Sequence, residues 1–391
     1  LNDPVNPPVL ISQKSARSAM KVTVEKAALL KSLGHVHRVV ERRNTIPILS
    51  NILLKASDGS LHLKATDLDL EVTERFPAEI ETPGATTVPA YMFYEIVRKL
   101  PDGAQVSLDN SGDATQMVIR AGRSRFTLQT LPDSDFPDLA AGTLDHKFSL
   151  PAAELRRLIE KTQFAISTEE TRYYLNGIYF HTIDVMGHTM LRAVATDGHR
   201  LARVEADAPQ GSAGMPGIIV PRKAVNEILK LVEAGGDDVM IEVSAAKIRL
   251  TLGEVVLTTK LIDGTFPDYQ RVIPTANDKL LTVEKGDFMA AVDRVSTISS
   301  ERTRAVKMAV NDGKLTLSVT NPESGSAVEE IEVDYDQAAL EIGFNARYLL
   351  DIASELDGDT ALIKLADSGS PTLIQDREGA SALYVLMPMR V

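Results

Sequence analysis

An internal repeat constrains this chain more than any other feature. Residues 191–201 read Leu-Arg-Ala-Val-Ala-Thr-Asp-Gly-His-Arg-Leu, an apolar stretch that stops at Thr-Asp-Gly and restarts beyond it. Residues 61–72 carry the same alternation and the same Ala-Thr-Asp about 130 positions earlier. Residues 315–321 repeat it about 125 positions later, with Asn321 in place of the aspartate. Thr66, Thr196 and Thr320 thereby become equivalent positions. Further markers keep the same order. An amphipathic segment opens each third at 24–40, 150–166 and 283–298. A short β run leading into a second helical pattern follows at 88–100, 220–232 and 344–356, and an apolar strand closes each copy at 126–131, 255–262 and 382–387. Self-similarity at this spacing marks three copies of one supersecondary unit.

Each copy reads as α+β. Residues 22–33 place Val24, Ala27, Ala28, Leu29, Leu30 and Leu33 on one helical face. Pro47 blocks further helix, and strands 48–56 and 61–72 are joined by Ser57-Asp58-Gly59-Ser60, a hairpin signal. Short strands follow at 104–108, 117–121 and 124–130. In the second copy Ser149 reads as a helix cap with Pro151 in the first turn, and 172–177 opens the strand leading to His181. The expected units are 20–141, 146–270 and 271–391, each with two helices and antiparallel sheets whose edges need cover. Residues 1–19 hold three prolines and no apolar periodicity, so they are expected to be a disordered leader or added segment.

The chain has no cysteine, which removes disulfides and thiolate metal sites, and no apolar run of about eighteen residues that would span a membrane. A net charge of −12 excludes a wholly basic nucleic-acid binder, but not a local basic face. The helical stretches hold Lys26, Lys31, Arg38, Arg42, Arg43, Arg98, Lys99, Arg156, Arg157, Lys161, Arg222, Lys223, Lys230 and Arg347. Strands and connections hold Glu79, Glu81, Asp133, Asp135, Asp138, Glu329, Glu330, Glu332 and Asp334. Helices gathered on one side of the sheets would make that side positive; an ordinary solvated helix face carries the same residues.

Tyr173 and Tyr174 beside Arg172 suit base stacking or phosphate contact, and equally a partly buried core. The chain ends on Leu383-Tyr384-Val385-Leu386-Met387-Pro388-Met389-Arg390-Val391, either a packed strand or the adaptable rim of an apolar pocket. No nucleophile elbow, phosphate-binding loop or His-Glu-x-x-His is present, and Asp197 with His199 is the one acid/base pair, separated by a turn.

Ala195-Thr196-Asp197-Gly198-His199-Arg200-Leu201, Arg172-Tyr173-Tyr174-Leu175-Asn176-Gly177, Ile219-Val220-Pro221-Arg222-Lys223, Phe266-Pro267-Asp268-Tyr269 and the ending Met387-Pro388-Met389-Arg390-Val391 resemble the bacterial sliding clamp family, the beta subunit of the replicative DNA polymerase III. The resemblance runs in order over residues 20–391. It implies three clamp domains per chain and a cytoplasmic, head-to-tail homodimer closed around double-stranded DNA, without cofactor or catalysis. It also implies partners such as the polymerase III catalytic subunit, the clamp loader, repair polymerases and ligase-type proteins. These would insert short peptides with glutamine and large apolar side chains. The implied pocket comprises Leu175, Thr196, Gly198, His199, Arg200, Leu201, Pro267, Arg271, Val272, Asn345, Tyr348, Val385, Met387, Pro388, Met389 and Arg390, with Arg200 and Arg390 orienting the peptide. The implied DNA-facing residues are Arg43, Arg172, Tyr173, Tyr174, Arg222 and Lys223.

For the dimer contact, Arg123, Arg125 and Phe126 lie on a candidate edge strand and would meet Ile298, Glu329 and Glu330 of a second copy. Thr168 and Glu169 depart from the family where polar or basic DNA-facing residues are expected. Thr303 replaces a common aromatic near the subunit contact, and Gly369 and Pro371 alter one pocket wall. Two other functions are open to such a chain: a hydrolase-like enzyme using Asp197 and His199, and a repeat-built peptide-binding module without a DNA role.

Overall fold

In the computed structural model the described residues are 19–139, 142–233, 236, 238–300 and 304–390. The expected leader, apart from Ala19, lies outside them, as do Thr303 and Val391. The chain forms two compact units, residues 1–140 with 253–258, and residues 141–252 with 259–391. Six α-helices are described: α1 Lys26–Val36, α2 Ala90–Lys99, α3 Ala152–Gln163, α4 Arg222–Glu233, α5 Lys285–Ser296 and α6 Ala346–Ser354. That is two per repeat, and the strand pairs with them are antiparallel, the α+β class expected.

In every case a strand runs straight into the helix. Lys21–Glu25, His146–Pro151 and Lys279–Glu284 precede α1, α3 and α5, while Gly84–Pro89, Ile218–Pro221 and Leu340–Asn345 precede α2, α4 and α6. The helix expected from Val22 therefore starts at Lys26. Val22 and Val24 are buried at alternate positions and pair with Leu108 and Val106, so their period is that of a strand. A strand and a helix joined without a loop merge into one apparent stripe. Ser149 is likewise no cap, since it sits in mid-strand opposite Met240 and Pro151 precedes α3 without a side-chain cap.

In the first unit one sheet runs in the order Glu79–Thr82, Lys21–Glu25, Gln105–Asp109, Gln116–Ala121, Ser124–Gln129. A second carries Leu70–Pro77, Ser60–Thr66, Asn51–Ser57 and Gly84–Pro89 side by side. The expected hairpin closes with Ser57 opposite Ser60 and positive φ at Asp58 (53°) and Gly59 (71°). The strand expected over 61–72 breaks after Thr66, where Asp67 Oδ1 accepts from the amides of Asp69 and Leu70 at 2.9 and 2.7 Å.

In the second unit an eight-stranded sheet takes strands from both later repeats, in the order Ile218–Pro221, Gly177–Val185, His188–Thr196, Arg200–Asp207, Ala382–Leu386, Thr372–Gln375, Thr360–Leu365, Lys279–Glu284. A four-stranded sheet runs Gly325–Glu332, Lys314–Asn321, Ala305–Asn311, Leu340–Asn345. Residues 172–176 open no strand; Glu170–Leu175 is a 3-10 turn and the strand begins at Gly177. Ser124–Gln129 and Gly325–Glu332 are both outer strands of their sheets.

The repeat extends to individual hydrogen bonds. At Thr196-Asp197 the amide of Gly198 donates to Thr196 Oγ1 (3.1 Å), and those of His199 and Arg200 donate to Asp197 Oδ1 (2.9 and 3.0 Å). At Thr66-Asp67 the amide of Leu68 donates to Thr66 Oγ1 at 3.0 Å, the same arrangement one repeat earlier. Asn321 keeps part of it, accepting from the amide of Glu323 at 3.1 Å.

Candidate functional site

The Thr196–Leu201 turn stands at the edge of an apolar floor. Leu201 lies opposite Val385 in the eight-stranded sheet, and both belong to one buried cluster with Leu175, Val194, Ile219, Phe266, Tyr269, Leu373 and Leu383. Leu175 ends its 3-10 turn two residues before Gly177, where any Cβ would run into the carbonyl of Val220. The strand can pair so closely only with glycine there. Around this floor Val272 and Met387 keep 47% and 39% of their surface exposed, the apolar walls of an open site. Pro267 and Arg271 are exposed beside Val272, and Arg271 pairs with Asp268 at 2.8 Å.

Gly198 has φ 88°, and a Cβ on it would lie 2.5 Å from Arg172 Nη1. The Arg172 guanidinium is packed under the turn and held by both Glu169 oxygens at 2.8 and 2.6 Å. Arg172 thus lies against the turn while 32% of its side chain stays exposed, and Glu169, a departure from the family pattern, is its partner.

Arg200 is committed to the chain's own groups. Its guanidinium donates to Asp197 (3.1 Å), Asp351 (2.6 Å) and the Phe164 carbonyl (2.7 Å), and lies 4.1 Å from the centre of the Tyr348 ring. These contacts hold the guanidinium against the Tyr348 ring. Asn345 caps α6 through Arg347 N and Tyr348 N at 3.0 and 3.3 Å, which sets the same ring from its backbone side. The exposed His199 ring is near-parallel to Tyr348, 6.5 Å between centres.

The last residues are anchored. Met387 N donates to the His199 carbonyl at 2.9 Å and Met389 N to that of Gly343 at 2.7 Å. Pro388, Met389 and Arg390 line an open depression of about 940 Å³ together with Lys307, Glu341 and Gly369. The Pro371 carbonyl accepts from Asn277 at 2.9 Å.

Sequence reasoning missed a buried polar line behind the Val272 wall. His181, Arg192 and Glu205 are directly opposite one another on three adjacent strands. Arg192 donates to Glu205 (2.8 Å) and to the Tyr269 hydroxyl (3.1 Å), and that hydroxyl is 2.9 Å from His181 Nε2. The Thr182 carbonyl, 3.3 Å from His181 Nδ1, can only accept, so in the neutral imidazole Nδ1 carries the proton and Nε2 accepts from the Tyr269 hydroxyl. Burial holds His181 below the ordinary histidine range; Arg192 adds to this, while the Thr182 carbonyl and Glu205 oppose it. The signal was in the sequence, since Tyr179 and His181 share a strand face and Tyr269 belongs to Phe-Pro-Asp-Tyr, but it did not say which groups meet.

Among the residues matched to DNA contact, those of the second unit adjoin, since Arg222 N donates to the Asn176 carbonyl at 3.0 Å. Arg43 is exposed in the loop after α1, Arg222 is exposed and Lys223 half-buried at the start of α4, Tyr173 is 53% exposed and Tyr174 half-buried. Several helix cations are paired inside the chain: Lys26 with Asp102 (2.6 Å), Arg98 with Glu95 (2.7 Å), Arg156 with Glu160 (2.7 Å), Lys161 with Asp357 (2.5 Å) and Lys230 with Glu227 (2.8 Å). Composition overstated the positive helix face for these residues. Of the edge-strand residues, Arg123, Arg125 and Phe126 are exposed, whereas Glu329 is held by Arg294 (3.0 Å), Glu330 pairs with Lys314 (3.3 Å) and Ile298 is half-buried.

Asp197 and His199 are no acid/base pair. The Asp197 carboxylate receives two turn amides and Arg200, while the imidazole extends towards Tyr348. A hydrolase built on them is unsupported.

Fold and site together define a protein of repeated α+β units with a buried apolar cluster beside the exposed Val272 and Met387. Models of the DNA polymerase III beta subunit match in all three parts, the N-terminal domain at residues 20–140, the central domain at 149–268 and the C-terminal domain at 270–390. The chain belongs to this family, the bacterial beta sliding clamps, which are processivity factors rather than catalysts. It is 57% identical over 372 residues to the beta sliding clamp of Caulobacter vibrioides, covering 95% of this chain and 100% of that one. Against the Escherichia coli K12 clamp the figures are 42% over 373 residues, 95% and 100%. Among solved structures, a Bartonella birtlesii clamp bound to griselimycin superposes with a TM-score of 0.93 at 57% identity, covering 95% of this chain and 100% of that chain. A C. crescentus clamp with PEG bound to a putative beta-motif tethering region gives 0.94 at 57%, covering 96% and 100%.

Proposed function

We propose that two copies of this chain close head to tail around duplex DNA in the cytoplasm and tether polymerase III and other partners through peptides seated on the Leu175, Leu201 and Val385 floor. The observation that carries this reading is the junction of the Thr196–Leu201 turn with the anchored C-terminal run, which leaves Val272 and Met387 exposed over a buried apolar base. Burying two large apolar side chains there contributes about 3–6 kcal/mol before ordering costs. Backbone hydrogen bonds add about 1 kcal/mol each, which places a single peptide near micromolar. Tethering then works by effective concentration, turning dissociation into local sliding. The griselimycin complex of the Bartonella birtlesii clamp supports a ligand-binding role for a relative.

The ring closes where Ser124–Gln129 of one copy meets Gly325–Glu332 of the other, each an outer strand of its sheet. DNA contact is weak, electrostatic and blind to sequence, through exposed groups such as Arg43, Arg222 and Tyr173. The clamp loader, repair polymerases and ligase-type partners would share the pocket. Retention on nicked circular DNA after loading, with release on linearisation, tests the topological reading. Equal retention on linear and circular DNA would count against it. Replacing Arg123 and Arg125 by glutamate gives monomers in sedimentation; an unchanged dimer moves the contact elsewhere.

A further inference from the structure

We propose that the Tyr269 hydroxyl, held between His181 and Arg192, is a positioning group for the pocket wall formed by Arg271 and Val272, so that the protonation state of His181 tunes peptide binding. The inference rests on the pocket reading above. The wall is a short 3-10 turn, Tyr269–Val272, whose outward residues are exposed and make no apolar core of their own. It is pinned from behind at two points. Phe266 stacks on Tyr179 with centres 4.7 Å apart and planes 10° from parallel, and Tyr269 reaches the line of His181, Arg192 and Glu205. Stacking alone fixes a ring's plane but lets it slide; the two hydrogen bonds to the hydroxyl fix its position along the wall.

The groups facing His181 are Tyr179 on its own strand, Arg192 on the next, Glu205 beyond it with Arg203 sharing that carboxylate, and Tyr269 from the turn. A proton on Nε2 would turn the imidazole from acceptor to donor. The Tyr269 oxygen would then receive from both Arg192 and His181 while its own proton lost its acceptor, and a second cation would stand beside Arg192. Acid therefore drives the wall off its anchor without touching any residue that meets the peptide.

The test uses the full chain and a labelled ten-residue synthetic peptide containing glutamine, leucine and phenylalanine, with binding followed by anisotropy and stopped flow. Tyr269→Phe keeps the ring and removes the hydroxyl; peptide dissociation should speed up about fivefold at pH 7.5, the worth of one ordinary hydrogen bond. His181→Gln offers a carbonyl where Nε2 stood and cannot titrate. It should bind as wild type does at pH 7.5 and lose the weakening that wild type shows below pH 6.5. Any weakening due to the exposed His199 would persist in this variant, which separates the two histidines. Wild type that binds while Tyr269→Phe behaves identically, or a His181→Gln profile that follows wild type into acid, overturns the inference alone. Wild type that fails to bind the peptide overturns the pocket reading first.

Discussion

The guanidinium of Arg200 lies 4.1 Å from the centre of the Tyr348 ring while its nitrogens are donated to Asp197, Asp351 and the Phe164 carbonyl. The arginine that the family resemblance places in the pocket is thus engaged by the chain's own groups. Arg200→Ala leaves Asp351 and the Phe164 carbonyl without this partner and should lower stability by about 2–4 kcal/mol in urea titration. Arg390→Ala, at an exposed position, should stay within about 0.5 kcal/mol of wild type. Equal losses for the two would contradict the division of labour described above.

The shared turn supports a paired prediction. Leu68 has φ 79° where its counterpart Gly198 has 88°, and leucine is strained there. Leu68→Gly should raise stability by up to about 1 kcal/mol, relief of strain being partly offset by the freer unfolded chain. Gly198→Ala should lower it by about 1–3 kcal/mol, because the new Cβ would also press on Arg172. The measurement is the denaturation midpoint of each variant, and opposite signs are required.

Tyr384 is fully buried, and among the described residues its hydroxyl has no hydrogen-bond partner; burial, with Glu355 next, drives that hydroxyl's pKa upward. Removing an unsatisfied buried group recovers desolvation energy, so Tyr384→Phe should melt at or above the wild-type temperature, by about 1 kcal/mol at most. A marked loss of stability would show that the hydroxyl is satisfied in solution.

Burial pushes Glu355 above the usual carboxylate range, more than Lys161 can pull it back. The folded chain therefore holds this proton more tightly than the unfolded chain, and wild type loses stability as pH rises from the unfolded carboxylate value through the folded one. Glu355→Gln should be the more stable protein at pH 7 by about 1–2 °C and indistinguishable at pH 4. Thermal melts at the two pH values decide it, and a variant less stable at neutral pH rules the account out.

Much of this molecule was legible in the order of its residues. The apolar alternation ending in Ala-Thr-Asp, the Ser-Asp-Gly-Ser hairpin and the spacing of the β runs specify three α+β units because their information is local. Period, turn chemistry and chain length act within a few residues of each other. What the sequence blurred were junctions such as Glu25–Lys26, where a two-residue period passes into a 3.6-residue one with no loop between.

Only the tertiary structure decided which partners each candidate pocket residue meets. Leu201 was bound to be apolar and buried, but that it lies opposite Val385 follows from sheet register between segments far apart in the chain. The same distance hid Asp351 and Phe164 from Arg200, Glu169 from the Gly198 turn through Arg172, and Tyr269 from His181 and Arg192. Charge told the same story at Glu329 and Lys161: composition counts them as free, and folding pairs them with Arg294 and Asp357. A side chain's partners depend on which strands and helices pack together, and hydrogen bonds and ion pairs reach only about 3–4 Å, so the partners exist only once the chain has folded.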